Sequence, residues 1–536
     1  DADDERDDYY VKFVTTEGIN FGSGYWEETV APGVKERVDY TTMPHVLIRT
    51  ADGNFRFGRA NGGSYTIDGV DYEMPKWSSR VAGDDRSNPM PTFVGKTIND
   101  LFLFKNRLGV LSDENVIFSE TAEFFNFFRT TVISLLDTAP IDVASTDSRV
   151  SFLTGAVAFA RQLVLFSNQT QFVLQSGQNP LTPTTVALTK TTSFESVSQV
   201  RPITLGNSIY FGFTRGQFAG INRYFITNDT ETLFDASDIS AQIPRYMPGD
   251  LRDITGSSHE NVLAATTNDE RNALYVYKFF DSGTERVQSS WSRFLFPESD
   301  TILSIEFIDT TMFLTVERGD GIYLEKMDLQ PGLVDTLGHR VLVDRRVTST
   351  LCTLDSEGTT ITMPYKVYDG GEVEVVLSGS GKRIPVVTQT NDSNQVVVSE
   401  SVTGLGFFLG IRYEMRYQFS DVVLREPTQA GGSATVSEGR LQVRYLTLDH
   451  SDTGFYKVVV TPDNRDSSTH PMTARLLGSA ANTLGSAAFE EGKFRVPIYS
   501  LANQVTIEIK NDTPLPSKIT SAEFEMSFNP RSQRYA

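Results

Sequence analysis

The chain has 536 residues, 68 of them acidic and 48 basic, for a net charge of −20. Such a length holds two or more domains with large cores, and such a charge argues against gripping nucleic acid, because holding phosphates takes clustered Lys and Arg. The lone cysteine, Cys352, excludes an intramolecular disulfide and a multi-cysteine zinc site within these residues and reads as a small apolar residue in a strand.

With 36 Phe, 20 Tyr and 40 Gly, the composition favours strands and turns over helices. No stretch approaches the roughly 20 apolar residues of a membrane-spanning helix, so no membrane insertion is expected. Residues 1–8 carry six carboxylates and one Arg and read as a solvated end, without the glycine and twelfth-position glutamate of a calcium loop. Asp1 is not an initiator methionine and no signal-peptide pattern follows. The expectation is a sequence that starts inside a longer protein. Residues 9–13 and 24–30 predict a strand pair across a long turn. Pro32, Pro44, Pro75 and Pro89 then punctuate an irregular lead-in with short strands, so 1–89 reads as the remainder of an upstream domain.

From residue 98 a pattern begins to repeat. A short apolar strand, a polar break at Lys105-Asn106-Arg107 and a hairpin across Ser112-Asp113-Glu114-Asn115 come first; those turn side chains bond nearby backbone. Similar hairpins start at Leu163, Ile209, Val262 and Met312, in steps of 55, 46, 53 and 50 residues from Leu108. Each follows another strand-like run, at 98–104, 152–159, 200–205, 251–254 and 302–308. A period near 50 residues with several short strands per repeat is the mark of a β-propeller; about five blades are visible over 90–330, and upstream sequence is expected to supply another that closes the ring. A β-sandwich with coincidental spacing is the competing reading. Between the first two repeats, residues 120–136 have a helical flavour, with Ser119 as cap. The run Phe124, Phe125, Phe127 and Phe128 reads as core packing in preference to a subunit contact.

The rhythm stops at Gln330-Pro331-Gly332. Longer alternating strands follow, at 359–368, 372–377, 395–398, 410–419, 441–448, 455–461, 493–498, 505–509 and 522–528. They predict an antiparallel β domain over 331–436 and a C-terminal β-sandwich over 437–536, with loops at 427–439 and 479–489. The expected fold class is all-β.

Catalytic, cofactor-binding and metal residues are all assigned as none, and no cofactor is expected. Ser378-Gly379-Ser380-Gly381-Lys382 lacks the first glycine and the Ser or Thr of a phosphate loop, since Val376 and Arg383 stand there. It reads as a turn between two strands. His45, His259, His339, His450 and His470 have no paired spacing. No Gly-x-Ser-x-Gly elbow occurs. Asp113-Glu114 and Asp269-Glu270 fall in predicted turns, and the patterns Asn168-Gln169-Thr170 and Asn228-Asp229-Thr230 are chance glycosylation matches.

Several segments carry a resemblance. They are Met43-Pro44-His45-Val46-Leu47-Ile48-Arg49-Thr50-Ala51-Asp52-Gly53-Asn54-Phe55, Asn88-Pro89-Met90-Pro91-Thr92-Phe93-Val94-Gly95, Ile98-Asn99-Asp100 and Asn106-Arg107-Leu108-Gly109. Thr121-Ala122-Glu123-Phe124-Phe125-Asn126-Phe127 and Pro140-Ile141-Asp142-Val143-Ala144 follow. Weaker echoes stand at Gln171-Phe172-Val173-Leu174, Gln288-Ser289-Ser290-Trp291-Ser292, Gly439-Arg440-Leu441-Gln442-Val443 and Phe494-Arg495-Val496-Pro497. In this order they resemble the tail tubular protein B family, the tail nozzle of short-tailed, autographivirus-type podoviruses. The resemblance implies a structural, non-enzymatic subunit of a hexameric tube in the virion's short non-contractile tail. It implies partners too: an adaptor ring of tail tubular protein A, tail fibre protein, and genomic DNA passing without specific binding. Loops would gate ejection, and an acidic lumen would keep DNA from sticking. The alternative is a virion-associated carbohydrate-binding or glycan-hydrolysing propeller, against which stand only three tryptophans, Trp26, Trp77 and Trp291.

Overall fold

Apolar runs of four to eight residues, broken by tight turns, leave the chain little choice but short antiparallel strands. The computed structural model describes residues 9–16, 21–145, 147, 150–175, 181–227, 234–282, 285–427, 432–436, 439–474 and 487–530. Residues 1–8, the pattern at 228–230 and parts of both predicted loops lie outside them. The fold is all-β, built of many small antiparallel sheets, and the chain falls into two compact units, Asp1–Gln330 and Pro331–Ala536.

In the first unit, three hairpins form the lead-in: β1 (Tyr10–Thr15) with β2 (Gly24–Thr29), β3 (His45–Arg49) with β4 (Phe55–Arg59), and β5 (Ser64–Ile67) with β6 (Val70–Glu73). Five meandering sheets follow in chain order. Sheet 1 is β7 (Asp100–Phe104), β8 (Arg107–Ser112), β9 (Asn115–Phe118) and β10 (Ile141–Ala144). Sheet 2 is β11 (Leu153–Phe159), β12 (Gln162–Ser167), β13 (Gln171–Gln175) and β14 (Ala187–Thr192). Sheet 3 is β15 (Ile203–Leu205), β16 (Ser208–Arg215), β17 (Phe218–Ile226) and β18 (Phe234–Asp238). Sheet 4 is β19 (Leu251–Ser257), β20 (Val262–Thr267), β21 (Ala273–Ser282) and β22 (Glu285–Leu295). Sheet 5 has three strands: β23 (Thr301–Ile308), β24 (Thr311–Arg318) and β25 (Gly321–Asp328).

The inner strands of sheets 1 to 4 are apolar on both faces because each of these sheets is covered twice, whereas sheet 5 is covered on one face. In β12, Leu163 and Leu165 pack toward sheet 1 with Phe102, Leu111 and Phe118, while Val164 and Phe166 pack toward sheet 3 with Ile209, Phe211 and Tyr224. Sheets 3 and 4 share Tyr210, Ile221, Leu251 and Tyr275; sheets 4 and 5 share Val262, Leu274, Ile305 and Leu314. The outer face of sheet 1 is covered by the lead-in, through Val38, Met43, Trp77 and Phe93. Burying one such side chain stabilises by about 1.5–3 kcal/mol, so these shared cores hold neighbouring sheets together.

The polar break is narrower than expected. Lys105 and Asn106 take φ of 45° and 60°, making a tight two-residue turn of the kind that matches strand twist, and Arg107 is already inside β8 and buried. The expected helix at 120–136 is not formed. Ala122 lies at φ 67°, outside helical space, and its N–H bonds Asn106 O at 2.9 Å. The region is a set of turns that delivers Phe127 and Phe128 to the core beneath the lead-in.

The second unit contains two two-layer cores. One joins Val373, Val375, Leu409 and Ile411 to Ile361, Val396 and Val398. The other joins Val443, Leu446 and Val496 to Tyr456, Val458, Ile507 and Ile509. Two predicted strands break here. Pairing at 359–368 ends with Thr360–Thr362, because Pro364 has no N–H to give, although Met363, Tyr365 and Val367 stay buried. The run 410–419 divides into Phe407–Ile411 and Met415–Gln418, which pair in different sheets. Between them Arg412 meets Glu372 at 2.9 Å and Glu374 at 3.1 Å.

Candidate functional site: the seams between sheets

The residues with the most demanding chemistry tie one sheet to the next. Three of the first strands carry a bulge at the same place: Leu153/Gly155 in β11, Leu251/Asp253 in β19 and Ile302/Ser304 in β23. A bulge frees backbone groups from the ladder, and at β11 and β23 the preceding sheet binds the backbone there. Asn99 Nδ2 donates to Leu153 O at 2.8 Å, and Ala156 N donates to Asp100 Oδ2 at 3.1 Å. Between sheets 4 and 5 the same device returns: Arg252 donates to Ile302 O at 2.9 Å and Leu303 O at 3.0 Å, and Ile305 N donates to Asp253 Oδ2 at 3.2 Å. Thr255 Oγ1 accepts from Phe307 N at 3.0 Å, and Ser257 Oγ donates to Asp309 O at 2.6 Å.

The two middle seams are built differently. Arg201 donates to Ala156 O at 3.4 Å and approaches Asp100 at 3.7 Å, while Gly206 N donates to Ser258 Oγ at 3.1 Å. Gly256 leaves room for Leu205, whose side chain a Cβ would meet at 2.6 Å. Burial pushes the Asp100 and Asp253 carboxyls above their ordinary value, against the pull of Arg201 and Ala156 N on Asp100 and of Ile305 N on Asp253. Glu306 is raised for the same reason.

Arg107 anchors the first seam from inside. It is 1% exposed, and its guanidinium donates to Ser119 O (2.7 Å), Ala139 O (2.8 Å), Asp137 O (2.9 Å) and Leu181 O (3.4 Å). Burial lowers its pKa, and Glu120 opposes the shift.

The groups weighed in the sequence for chemistry sit apart. Trp77 is buried between the lead-in, to which it belongs, and sheet 1, Trp291 donates to Ile239 O at 3.0 Å between sheets 3 and 4, and Trp26 is exposed on β2. Glu114 accepts from Ser151 N at 3.0 Å, and Glu270 bonds the Tyr275 hydroxyl. Gly381, at φ 72°, closes a turn between Val373–Leu377 and Arg383–Ile384, and Lys382 pairs with Glu400 at 2.6 Å. His45 stacks on Phe57, His339 packs on Phe489 and His450 meets the Tyr456 hydroxyl at 3.2 Å. Cys352 lies between a 3-10 turn (Ser349–Leu351) and the short strand Thr353–Leu354, outside any strand, and burial raises its thiol pKa. Among the described residues no three His, Cys, Asp or Glu side chains converge to hold a metal.

What these seams and cores define is an all-β protein of small antiparallel sheets packed in series. Residues 1–535 match a family model described as bacteriophage nozzle protein. The chain is 30% identical over 545 residues to tail tubular protein gp12 of Escherichia phage T7, covering 99% of this chain and 66% of that protein. It thus spans just under two thirds of that relative's length. The chain belongs to the bacteriophage nozzle protein family. Solved structures with some likeness include the N-terminal domain of Nup159 (TM-score 0.28, 11% identity, 60% of this chain and 92% of that one). Another is an exo-β-1,3-galactanase from Phanerochaete chrysosporium (TM-score 0.24, 10% identity, 81% of this chain and 98% of that one). Scores this low carry no argument about fold or function.

Proposed function

We propose that the chain is a wall subunit of the distal, DNA-conducting tube of a short tail, acting without catalysis. Its five sheets are read as blades of a β-propeller over 90–330, with the lead-in at 1–89. An antiparallel β domain at 331–436 and a C-terminal sandwich at 437–536 complete the division, and Met415–Gln418 reaches from the first into the second. The repeated ties between first strands, and the cores shared by successive sheets, support the blade reading. The match along residues 1–535 carries the function.

The subunits would form a homo-oligomer, a hexamer, beneath an adaptor of tail tubular protein A, with tail fibre protein docking at the junction. Rigid sheets hold the wall while loops rearrange to release DNA, and a net charge of −20 keeps the DNA from sticking. The three separated tryptophans favour this over a sugar-binding cleft. Negative-stain imaging of the full-length protein with its adaptor and portal tests the reading. Six-fold tubes closed at the distal end are expected; monomers that degrade or bind a host polysaccharide would overturn it.

A further inference from the structure

We propose that the β1–β2 hairpin is an arm that adds to the open edge of β25 in a second copy of the chain. Among the described residues the arm's two strands pair only with each other. Its base is fixed to its own chain: Glu28 accepts from Val132 N and the Thr131 hydroxyl, both at 2.7 Å, and Ala31 N donates to Gly83 O at 2.9 Å. Beyond that base most of its large apolar side chains are exposed. Val11, Phe13 and Trp26 are 42%, 48% and 67% exposed on one face, and Tyr25 is 56% exposed on the other. A two-stranded hairpin without a core is marginal in water, so an arm of this composition gains by joining a larger sheet.

The acceptor is sheet 5. Sheets 1 to 4 each have a fourth strand, of four to eleven residues, where sheet 5 ends at β25. Among the described residues nothing pairs with the outer edge of β25, and on one face of the sheet Ile308, Ile322 and Leu324 are 60%, 65% and 74% exposed. An unpaired edge beside an apolar face is a template for strand addition. The six-residue β1 falls within the span of the fourth strands it would replace. Side-chain alternation then fits the two together: setting Val11 and Phe13 beside Ile322 and Leu324 puts Lys12, 3.4 Å from Glu27 in its own hairpin, on the side of Glu325, which Arg318 holds at 2.7 Å, so Lys12 would join existing ion pairs there. Donor and acceptor are different surfaces, so every copy gives an arm and receives one, a heterologous contact that closes into a ring or propagates. The proposal rests on the subunit reading above.

Cross-linking in the full chain tests it, with Cys352→Ser as background. Val11→Cys and Leu324→Cys proteins, mixed under mild oxidation, should form a covalent dimer that neither forms alone. Leu324→Lys, at an exposed position, should raise the concentration for half-assembly by at least about tenfold, read by sedimentation. Assembly without that cross-link would overturn the arm while sparing the tube. A cross-link seen only when both cysteines share one chain would overturn the second-copy assignment. A chain that assembles with nothing would overturn both readings.

Discussion

Arg107 shows what a single residue does for the first seam. Four carbonyls converge on its guanidinium, so Arg107→Met strands them in a dry interior and should cost about 3–5 kcal/mol in chemical denaturation. Arg107→Lys should recover less than half, because a point donor cannot span that fan of acceptors. Asp100 and Asp253 make a prediction about pH. Burial raises both carboxyls in the folded chain above the ordinary 3.8, so the native state binds these protons more tightly than the unfolded one. Their contribution is fully present below 3.8 and is lost as pH rises through the raised native values. Asp281, held down by Arg286, and Asp512, held down by Lys457, run the other way and lose stability as pH falls through their lowered values. Asp100→Asn keeps an acceptor for Ala156 N and should flatten the first slope without lowering stability at pH 7. Asp100→Ala leaves that N–H unmet and should cost about 1–3 kcal/mol in urea titrations.

At the scale of the element, two hairpins use one device. Phe102 lies across from Gly109 and Phe213 across from Gly220, and a Cβ on either glycine would meet the ring at 2.2 Å and 2.4 Å. Gly109→Val should therefore displace Phe102 from the core shared with sheet 2, at a cost of about 2–3 kcal/mol by thermal melting. Hairpins of this sort were legible in the sequence because apolar runs and turn residues alternate locally. The fourth strands β10, β14 and β18 were not, since Ile141–Ala144, Ala187–Thr192 and Phe234–Asp238 are short, mixed in polarity and paired on one edge. The seams were half visible. Ile98-Asn99-Asp100 and Leu251-Arg252-Asp253 repeat an apolar residue, a donor and an aspartate, but their common role appears only when bulges expose the next sheet's backbone. Arg107 was hidden because a charged residue beside a turn reads as solvated.

For the whole molecule, the division at residue 330 has a direct consequence. Each unit owns its cores, so residues 331–536 expressed alone should fold to the same β-rich circular dichroism and melt cooperatively. Failure to fold would mean that the cores at 361–411 and 443–509 need the first unit. The change of rhythm at Gln330-Pro331-Gly332 was legible because a 50-residue period cannot be mistaken for longer alternating strands. How the later strands distribute between sheets was not, because pairing partners lie up to about a hundred positions apart and alternation alone does not name them.

The ties between first strands are unequal. Donors reach the bulged backbone of sheets 2 and 5 at 2.8–3.0 Å, whereas the arginine joining sheets 2 and 3 sits at 3.4 Å from its carbonyl and 3.7 Å from its carboxylate, with a side chain 56% exposed. Ties between the same two sheets act in parallel, so the load this arginine does not carry passes to the Thr191 and Tyr224 hydroxyls, 2.9 Å apart, and to the core of Phe166, Phe211 and Tyr224.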